Sequence, residues 1–228
     1  MTGPPFSDRV DAGRRLGERL SAHLGTQLGA RLGGGGASAE VVVLGLPRGG
    51  VPVAAEVARE LDAPLDVLVI RKVGLPWQPE LAIGAVGEGG IQVLNRQILQ
   101  STGLTADEVE QLVSIAAAEV DERVGRFRAG RAPVDLTGRD VVLVDDGIAT
   151  GATMCAAVDV ARARGAATVT VAVPVAAIQA LDRLRKLADR VICLLTPSDL
   201  RGVGLWYRDF TQTADREVTA LLAKAARS

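Results

Sequence analysis

The sequence predicts an α/β fold built on a parallel sheet, and three observations support this prediction. Of its 228 residues, 48% are hydrophobic but only 3% are aromatic, so the core must consist mainly of aliphatic side chains. Short aliphatic runs, typical of strands buried on both faces, alternate with helical patterns along the chain. Regular alternation of this kind predicts parallel strands joined by right-handed crossovers.

The chain begins with a segment that predicts a helix. From Phe6 to about Leu28, apolar residues recur at helical spacing with charged residues between them, which is typical of an amphipathic helix packed on a domain. The glycines from Gly33 to Gly36 then predict a flexible connector. We therefore expect a helix and connector over residues 1–36 and one domain over residues 37–228.

The first predicted strand, Val41 to Leu46, ends in a loop that suits an anion. Gly49 and Gly50 would let backbone amides approach a ligand closely, and the forked guanidinium of Arg48 matches phosphate oxygens. A second interpretation is that the glycines serve only a strand-to-helix turn. A helix is predicted from about Val53 to Leu61.

A second strand is predicted from Leu65 to Ile70, followed directly by Arg71 and Lys72. Cations at the carboxyl end of a parallel strand lie where α/β sheets bind ligands. Two short apolar runs separated by glycines then predict a β-hairpin, with strands from Ala82 to Val86 and from Ile91 to Leu94.

The stretch with the clearest chemistry starts at Val141 to Val144, an aliphatic run that predicts a fully buried strand ending in Asp145 and Asp146. Two adjacent carboxylates are costly to bury unless hydroxyls, a metal or cations face them. A loop of small and hydroxylated residues follows: Ala149, Thr150, Gly151, Ala152 and Thr153. A helix is predicted from about Gly151, and its free N–H groups and dipole suit one phosphate. Unless it is only an acidic turn, this stretch suits a ribose 5-phosphate.

The other elements continue the alternation. A long helix is predicted from Thr105 to about Arg128, opened by a capping box. After the acidic stretch come strands from Thr168 to Val173 and from Arg190 to Leu195, with a helix from about Ala177 to Leu187 between them. A last helix is predicted from about Asp215 to Ala225.

The segment before that last helix is irregular and contains Trp206, Tyr207 and Phe210. An aromatic ring is a natural platform for stacking a base. Equally, these rings could form a small cluster that anchors the end of the chain.

The stretch from Val141 to Thr153 resembles the phosphoribosyl pyrophosphate (PRPP) binding motif of the type I phosphoribosyltransferases. That motif has four hydrophobic residues, two acidic residues, and a small loop that contains Thr-Gly and ends in Thr or Ser. The resemblance implies the parallel-sheet fold of that family, with a flap at about residues 73–95 and a small hood at about 196–213.

It also implies a reaction: Mg²⁺-dependent transfer of 5-phosphoribosyl from PRPP to a nitrogenous base, with release of pyrophosphate, as in nucleotide salvage. The implied catalytic residues are Asp145, Asp146, Arg48, Arg71 and Lys72. Pyrophosphate would be bound by Arg48, Gly49, Gly50, Arg71 and Lys72, and the 5-phosphate by Ala149, Thr150, Gly151, Ala152 and Thr153. Trp206 and Tyr207 would bind the base, and Mg²⁺ would have Asp145, Asp146 and Asp209 as protein ligands. The peptide bond before Arg48 would be cis.

One position departs from part of the family. Relatives that act on 6-oxopurines usually carry an acidic residue where this chain has Ala149, so the acceptor base stays open. The alternative to an enzyme is a non-catalytic PRPP-binding sensor or regulator. A regulator would be expected to carry a DNA-binding helix-turn-helix or a strongly basic face, and the sequence predicts neither. By analogy with the family, a homodimer is compatible with the sequence.

Composition argues against several other classes of function. The 26 basic and 27 acidic residues give a net charge of −1, so the chain lacks the excess of positive charge that is typical of nucleic-acid-binding proteins. His23 is the only histidine, which disfavours a Ser-His-Asp or Cys-His enzyme. No signal peptide and no apolar run of about 18 residues is apparent, and the two cysteines suit a reduced compartment. We therefore expect a cytoplasmic protein without a membrane partner.

Overall fold

Two sheets organise the part of the chain that the structure describes, which comprises residues 5–31, 40–75 and 77–226 of a computed structural model. The helices are α1 (Arg9–Arg31), α2 (Gly50–Leu61), α3 (Arg96–Thr102), α4 (Ala106–Arg128), α5 (Ala152–Ala163), α6 (Ile178–Leu184) and α7 (Asp215–Ala225). The strands are β1 (Val41–Gly45), β2 (Leu65–Val67), β3 (Ile70–Leu75), β4 (Gln78–Gly87), β5 (Gln92–Leu94), β6 (Asp140–Val144), β7 (Thr168–Val175) and β8 (Arg190–Leu195). Short 3-10 turns lie at Glu88–Gly90 and Val203–Trp206.

The larger sheet is parallel and has the strand order β2-β1-β6-β7-β8, which confirms the predicted α/β architecture. Strands β1 and β6 lie side by side, with Leu44 opposite Leu143. Successive residues of a strand face opposite sides of the sheet. Val142 and Val144 pack towards α1 and α2, whereas Val141 and Leu143 pack towards α5 and α6. The loops that follow β1 and β6 therefore meet at the carboxyl edge of a fully covered sheet.

Helix α1 packs on the domain as the amphipathic pattern predicts. Leu16 and Leu20 are fully buried against α2 and the sheet. The two helices approach so closely that a Cβ atom on Gly13 would lie 2.7 Å from the carbonyl oxygen of Val53. The predicted connector, Gly33–Gly36, lies outside the described residues.

The residues before α1 pair with the C-terminal segment. The Phe6 N–H donates to the Trp206 carbonyl (3.1 Å), and the Arg208 N–H donates to the Phe6 carbonyl (2.9 Å). The Phe6 ring is buried and contacts the ring of Tyr207, with 5.3 Å between centroids. The described part of residues 1–36 is therefore built into the same fold as the predicted domain.

The smaller sheet is antiparallel, has the order β3-β4-β5, and corresponds to the predicted flap. The predicted hairpin is present as β4 and β5, which pair from Gly84 opposite Leu94 to Val86 opposite Gln92. Helix α4 packs under this sheet through Val113, so the base of the flap shares a hydrophobic core with the domain.

The strand predicted over Leu65–Ile70 is wrong beyond Val67. Pairing with β1 ends at Val67, although the Leu68 N–H still donates to the Gly45 carbonyl (3.1 Å). The Val69 N–H, on the other side of this edge strand, donates to the Glu88 carboxylate (3.0 Å), and the chain turns into β3. Arg71 and Lys72 consequently lie within β3, paired with β4 of the flap, and not at the end of a parallel strand.

A short helix, α3, was not predicted. The Asn95 side chain accepts hydrogen bonds from two backbone N–H groups of its first turn, and Gly103 ends it in the left-handed conformation (φ 70°). The next helix, α4, opens with the predicted capping box, in which Thr105 and Glu108 bond each other's backbone N–H. None of the helices in the described ranges is both long and apolar enough to cross a membrane.

Candidate active site

The loops after β1 and β6 lie in direct contact. The Leu46 N–H donates to the Val144 carbonyl (2.9 Å), which holds the two strand ends together. A Cβ atom on Gly50 would lie 2.9 Å from the Cα atom of Asp145, and one on Gly49 would collide with the Asp146 carboxylate. Glycine is therefore needed at both positions because the two loops lie too close together for a side chain. A strand-to-helix turn alone would not require this. The predicted cis peptide bond before Arg48 is present.

The acidic pair sits at the centre of this contact. The Asp146 N–H donates to Oδ1 of Asp145 (2.9 Å), and the Arg9 guanidinium donates to Oδ2 of Asp146 (2.9 Å from Nε and 2.8 Å from Nη2). Burial, followed by the charge of Asp146, raises the pKa of Asp145 well above its ordinary value. Burial also raises the pKa of Asp146, although Arg9 opposes this. The two carboxylates are therefore only partly compensated, and the pair favours cations or hydroxyl donors.

Replacing Asp145 with Asn is expected to raise the melting temperature at about pH 8 and to leave it nearly unchanged at about pH 4. Because the folded-state pKa of Asp145 is raised, its stabilising contribution is complete below the unfolded pKa and is lost as the pH rises through the folded pKa. Asparagine stays neutral, and its Oδ1 atom can still accept from the Asp146 N–H. Thermal melts of both proteins at the two pH values measure this, and a lower melting temperature of Asp145→Asn at pH 8 would contradict it.

The loop before α5 presents an open helix N-terminus. Gly151 adopts a positive φ of 78° and precedes α5 without any side-chain cap, so the first amides of the helix stay available to a ligand. Behind the loop, the Arg183 guanidinium donates to the Thr150 carbonyl, and Ile148 pairs with Ala176 of the neighbouring strand end. Its exposed residues are Ala149, Thr150 and Thr153. The loop is held from behind and open in front, which suits a phosphate.

The three basic residues predicted to bind pyrophosphate, Arg48, Arg71 and Lys72, have different surroundings. Arg48 lies 3.5 Å from an oxygen of Asp215 on α7, and Arg71 lies 2.8 Å from an oxygen of Glu119 on α4. Both arginine side chains are roughly half-exposed. Lys72 lines a cleft of about 360 Å³ between the flap and the first turns of α5. The structure therefore brings Lys72 close to the start of α5, whereas carboxylates hold Arg48 and Arg71.

The predicted base-binding role of Tyr207 is corrected by the structure. Its ring is 4% exposed and lies between Phe6 and Phe210, with centroids 5.3 and 5.0 Å away, so it offers no open face for stacking. Its hydroxyl donates to the Asp146 carbonyl (2.5 Å), and burial raises its pKa, so the donor stays protonated. Tyr207 therefore supports the acidic pair from behind. Trp206 is partly exposed, and its role stays a prediction.

The predicted metal ligands are only partly brought together. The Asp209 carboxylate accepts from the backbone N–H (2.9 Å) and hydroxyl (2.6 Å) of Thr211. Within residues 5–31, 40–75 and 77–226, no group of three or more Asp, Glu, His or Cys side chains could hold a metal ion. Asp145 and Asp146 therefore remain as an adjacent pair without Asp209.

Comparison with known families identifies this arrangement. The model of the phosphoribosyl transferase domain matches residues 36–207, which include both loops, the flap and the acidic pair. The chain belongs to this family. A phosphoribosyltransferase domain accounts for the parallel sheet and for the position of both loops at its carboxyl edge.

Relatives of this phosphoribosyltransferase domain extend the comparison. Two proteins from strains of Mycobacterium tuberculosis, each named "Putative phosphoribosyl transferase", are 52% identical over 222 residues. The match covers 97% of this chain but 47% of each relative, so the chain spans about half the length of the curated relatives it matches. A crystal structure of a protein from Thermus thermophilus superposes with a TM-score of 0.84 at 43% identity, covering 96% of this chain and 98% of that one.

One residue at the acidic pair of this phosphoribosyltransferase domain escaped prediction. Arg9 contacts Asp146 although 137 positions separate them in sequence. The sequence of α1 indicates only an amphipathic helix with several arginines, and no local signal distinguishes Arg9 from the others. Arg9 reaches the site because the residues just before it pair with Trp206, Arg208 and Asp209 in the C-terminal segment.

Proposed function

We propose that this phosphoribosyltransferase domain transfers the 5-phosphoribosyl group of PRPP to a nitrogenous base, with release of pyrophosphate. The observation that carries the proposal is the contact between the Gly49–Gly50 loop and the Asp145–Asp146 pair. It supports the proposal because a loop suited to an anion and two carboxylates suited to hydroxyl groups lie side by side, next to the open N-terminus of α5. Pyrophosphate, ribose and 5-phosphate would occupy these three neighbouring places.

In this proposal each part of the site contacts a different part of PRPP. The loop from Ala149 to Thr153 binds the 5-phosphate, and Asp145 and Asp146 accept hydrogen bonds from the ribose hydroxyls. As the bond from the anomeric carbon to pyrophosphate breaks, negative charge builds up on the departing oxygens. Backbone amides of the Gly49–Gly50 loop, with nearby cations, stabilise that charge.

Arg48 and Arg71 would have to leave their carboxylate partners to reach pyrophosphate. Their pairs with Asp215 and Glu119 are solvent-accessible, and pairs of this kind contribute roughly 0–1 kcal/mol. Exchanging such a partner for a pyrophosphate oxygen is therefore inexpensive. Lys72 needs no such exchange, since it already faces the cleft beside α5.

The donor set of the acidic pair fits Mg²⁺. This ion prefers oxygen ligands and is commonly held by one or two carboxylates together with substrate phosphates. Asp145 and Asp146 provide two such carboxylates, and burial raises the pKa of both, so the ionised pair favours a cation. When bound, Mg²⁺ would neutralise charge on the pyrophosphate. Among residues 5–31, 40–75 and 77–226 no third carboxylate joins this pair, so in this proposal the substrate supplies most of the other ligands.

The flap is suited to cover the reacting groups. Trp77, at the turn between β3 and β4, is 63% exposed. Closure of the flap would exclude water from a ribosyl cation-like transition state, which water would otherwise hydrolyse. The partly exposed Trp206 of the hood is our candidate for contacting the base.

A second candidate function is a PRPP-binding sensor without transferase activity. It is favoured by the ion pairs of Arg48 and Arg71, because two of the proposed catalytic cations are engaged elsewhere. A sensor would need the phosphate loop and the acidic pair but not these arginines. Both functions therefore predict that the protein binds PRPP, but only the transferase predicts that it releases pyrophosphate.

Calorimetric titration with PRPP and Mg²⁺, followed by a pyrophosphate-release assay over a panel of bases, tests both functions. We expect binding by the unchanged protein and none by the Asp145→Asn/Asp146→Asn double variant. Asp135→Asn is the matched control, because Asp135 is exposed and precedes β6 at the opposite edge of the sheet. Pyrophosphate release with one base would establish a transferase and name its acceptor. Binding without release on any base would favour the sensor, and absence of binding would overturn both.

A further inference from the structure

The Arg9 side chain joins three separate parts of the chain at the acidic pair. Its Nε and Nη2 atoms donate to Oδ2 of Asp146, and its Nη1 atom donates to the Thr211 carbonyl (2.7 Å). The guanidinium carbon lies 3.9 Å from the centre of the Phe210 ring, and the side chain is 11% exposed. A forked, planar cation makes all of these contacts at once, which a lysine could not do.

Local hydrogen bonds fix the position of the Arg9 backbone. It is the first residue of α1, and the Asp8 side chain caps the helix by accepting from the Asp11 N–H (2.8 Å). The Asp11 carboxylate in turn accepts from the Ser7 N–H (3.0 Å). Since the backbone next to Ser7 also pairs with the hood, Arg9 enters the site from a rigid helix start and not from a free tail.

We propose that Arg9 is a positioning residue that holds the Asp146 carboxylate for ribose binding. This inference rests on the proposed function. Both contacts from Arg9 to Asp146 go to Oδ2, so Oδ1 stays outside the ion pair and can accept from a ribose hydroxyl. The Tyr207 hydroxyl holds the backbone of the same residue through its carbonyl. Asp146 is thus fixed at both its side chain and its main chain before substrate arrives.

Removal of Arg9 would leave the acidic pair without this support. In the described part of the chain, no other cation forms an ion pair with Asp145 or Asp146. Adjacent carboxylates repel each other, so an unheld Asp146 would turn away from Asp145 and lose its preset direction. Binding of the ribose moiety would weaken, whereas the pyrophosphate loop, which Arg9 does not contact through a hydrogen bond, would keep its ligand.

Calorimetry on the full chain with two probes tests this proposal: PRPP with Mg²⁺, and inorganic pyrophosphate without Mg²⁺, so that the second probe does not depend on a metal at Asp146. We expect Arg9→Met to weaken PRPP binding about tenfold or more, which corresponds to the loss of one charge-assisted hydrogen-bonded pair. Pyrophosphate binding should change less than about twofold. Arg9→Lys should restore part of the PRPP affinity. Arg14→Met is the matched control: Arg14 lies on the same helix, is 54% exposed and pairs with Asp11.

Several outcomes would overturn the assignment. Arg9→Met binding PRPP as tightly as the unchanged protein, or more tightly, would show that Arg9 does not position Asp146 for the ribose. An equal loss for PRPP and pyrophosphate would indicate a general structural role instead. Should Arg9→Met not fold, Arg9→Lys decides: a selective loss for PRPP supports the proposal, and unchanged binding overturns it. If the unchanged protein binds no PRPP, the proposed function fails first and independently of Arg9.

Discussion

Replacing Arg128 with Met is expected to lower the free energy of unfolding by about 3–5 kcal/mol, the usual cost of leaving a buried charge unpaired. Arg128 ends α4 and is 3% exposed. Its guanidinium donates to both carboxylate oxygens of Asp66 (3.1 and 2.9 Å) and to the Val67 carbonyl (2.9 Å), and it lies 2.5 Å from a Glu88 oxygen. Methionine would fill part of the volume but would leave two buried carboxylates without this cation.

The cluster around Arg128 connects the flap to the domain. Asp66 lies on β2 of the parallel sheet, and Glu88 lies in the turn after β4 of the flap. Burial raises the pKa of Glu88 even though Arg128 opposes it, and the only other cation near Glu88 among the described residues is Arg164, at 3.6 Å. Loss of Arg128 should therefore loosen the base of the flap as well as the core.

Urea denaturation monitored by circular dichroism measures this effect. Arg126→Met is the matched control, since Arg126 lies on the same helix, is 50% exposed, and pairs with Glu122 and Asp215 at the surface. Exposed pairs of this kind contribute roughly 0–1 kcal/mol, so the control should remain close to the unchanged protein. Equal stability of the two variants would show that the buried cluster contributes no more than a surface pair.

Features with a local signal could be predicted from the sequence. The aliphatic run of β6, the acidic pair after it and the small loop before α5 lie within the stretch from Val141 to Thr153, and all are found where the pattern places them. Strands buried on both faces need continuous apolar residues, so their pattern is unambiguous. The contact between the two glycines and the acidic pair follows from strand order, because β1 and β6 are neighbours.

Features that depend on distant partners could not be predicted. Just past the end of β2, the Val69 N–H is bound by Glu88, which lies 19 positions further along the chain in the turn after β4. The burial of Tyr207 is decided by Phe6, at the other end of the chain, so the aromatic cluster could equally have been a base platform. In both cases the residue's own neighbours in sequence carry no trace of the partner.

The second large effect is expected at the contact between the two ligand loops. Gly49→Ala should weaken PRPP binding about 100-fold or more, since the displaced loops would lose one or two charge-assisted hydrogen bonds to the ligand, each worth about 1.5–3 kcal/mol. The Gly49 backbone is right-handed helical (φ −63°, ψ −30°), a conformation that alanine adopts freely, so backbone strain is not the cause. The added methyl group would instead collide with the Asp146 carboxylate, close to the Arg9 guanidinium.

Gly202→Ala separates this collision from the general effect of adding a methyl group. Gly202 has extended backbone (φ 179°), and a Cβ atom there would meet no atom within 4 Å, so the control should bind PRPP as the unchanged protein does. Calorimetry with PRPP and Mg²⁺ compares the three proteins, and thermal melts show whether Gly49→Ala is folded. A folded Gly49→Ala that binds PRPP normally would mean that the loops can separate without loss of the ligand. The contact between Gly49 and Asp146 would then not be part of the binding site, and the observation that carries the proposed function would fail with it.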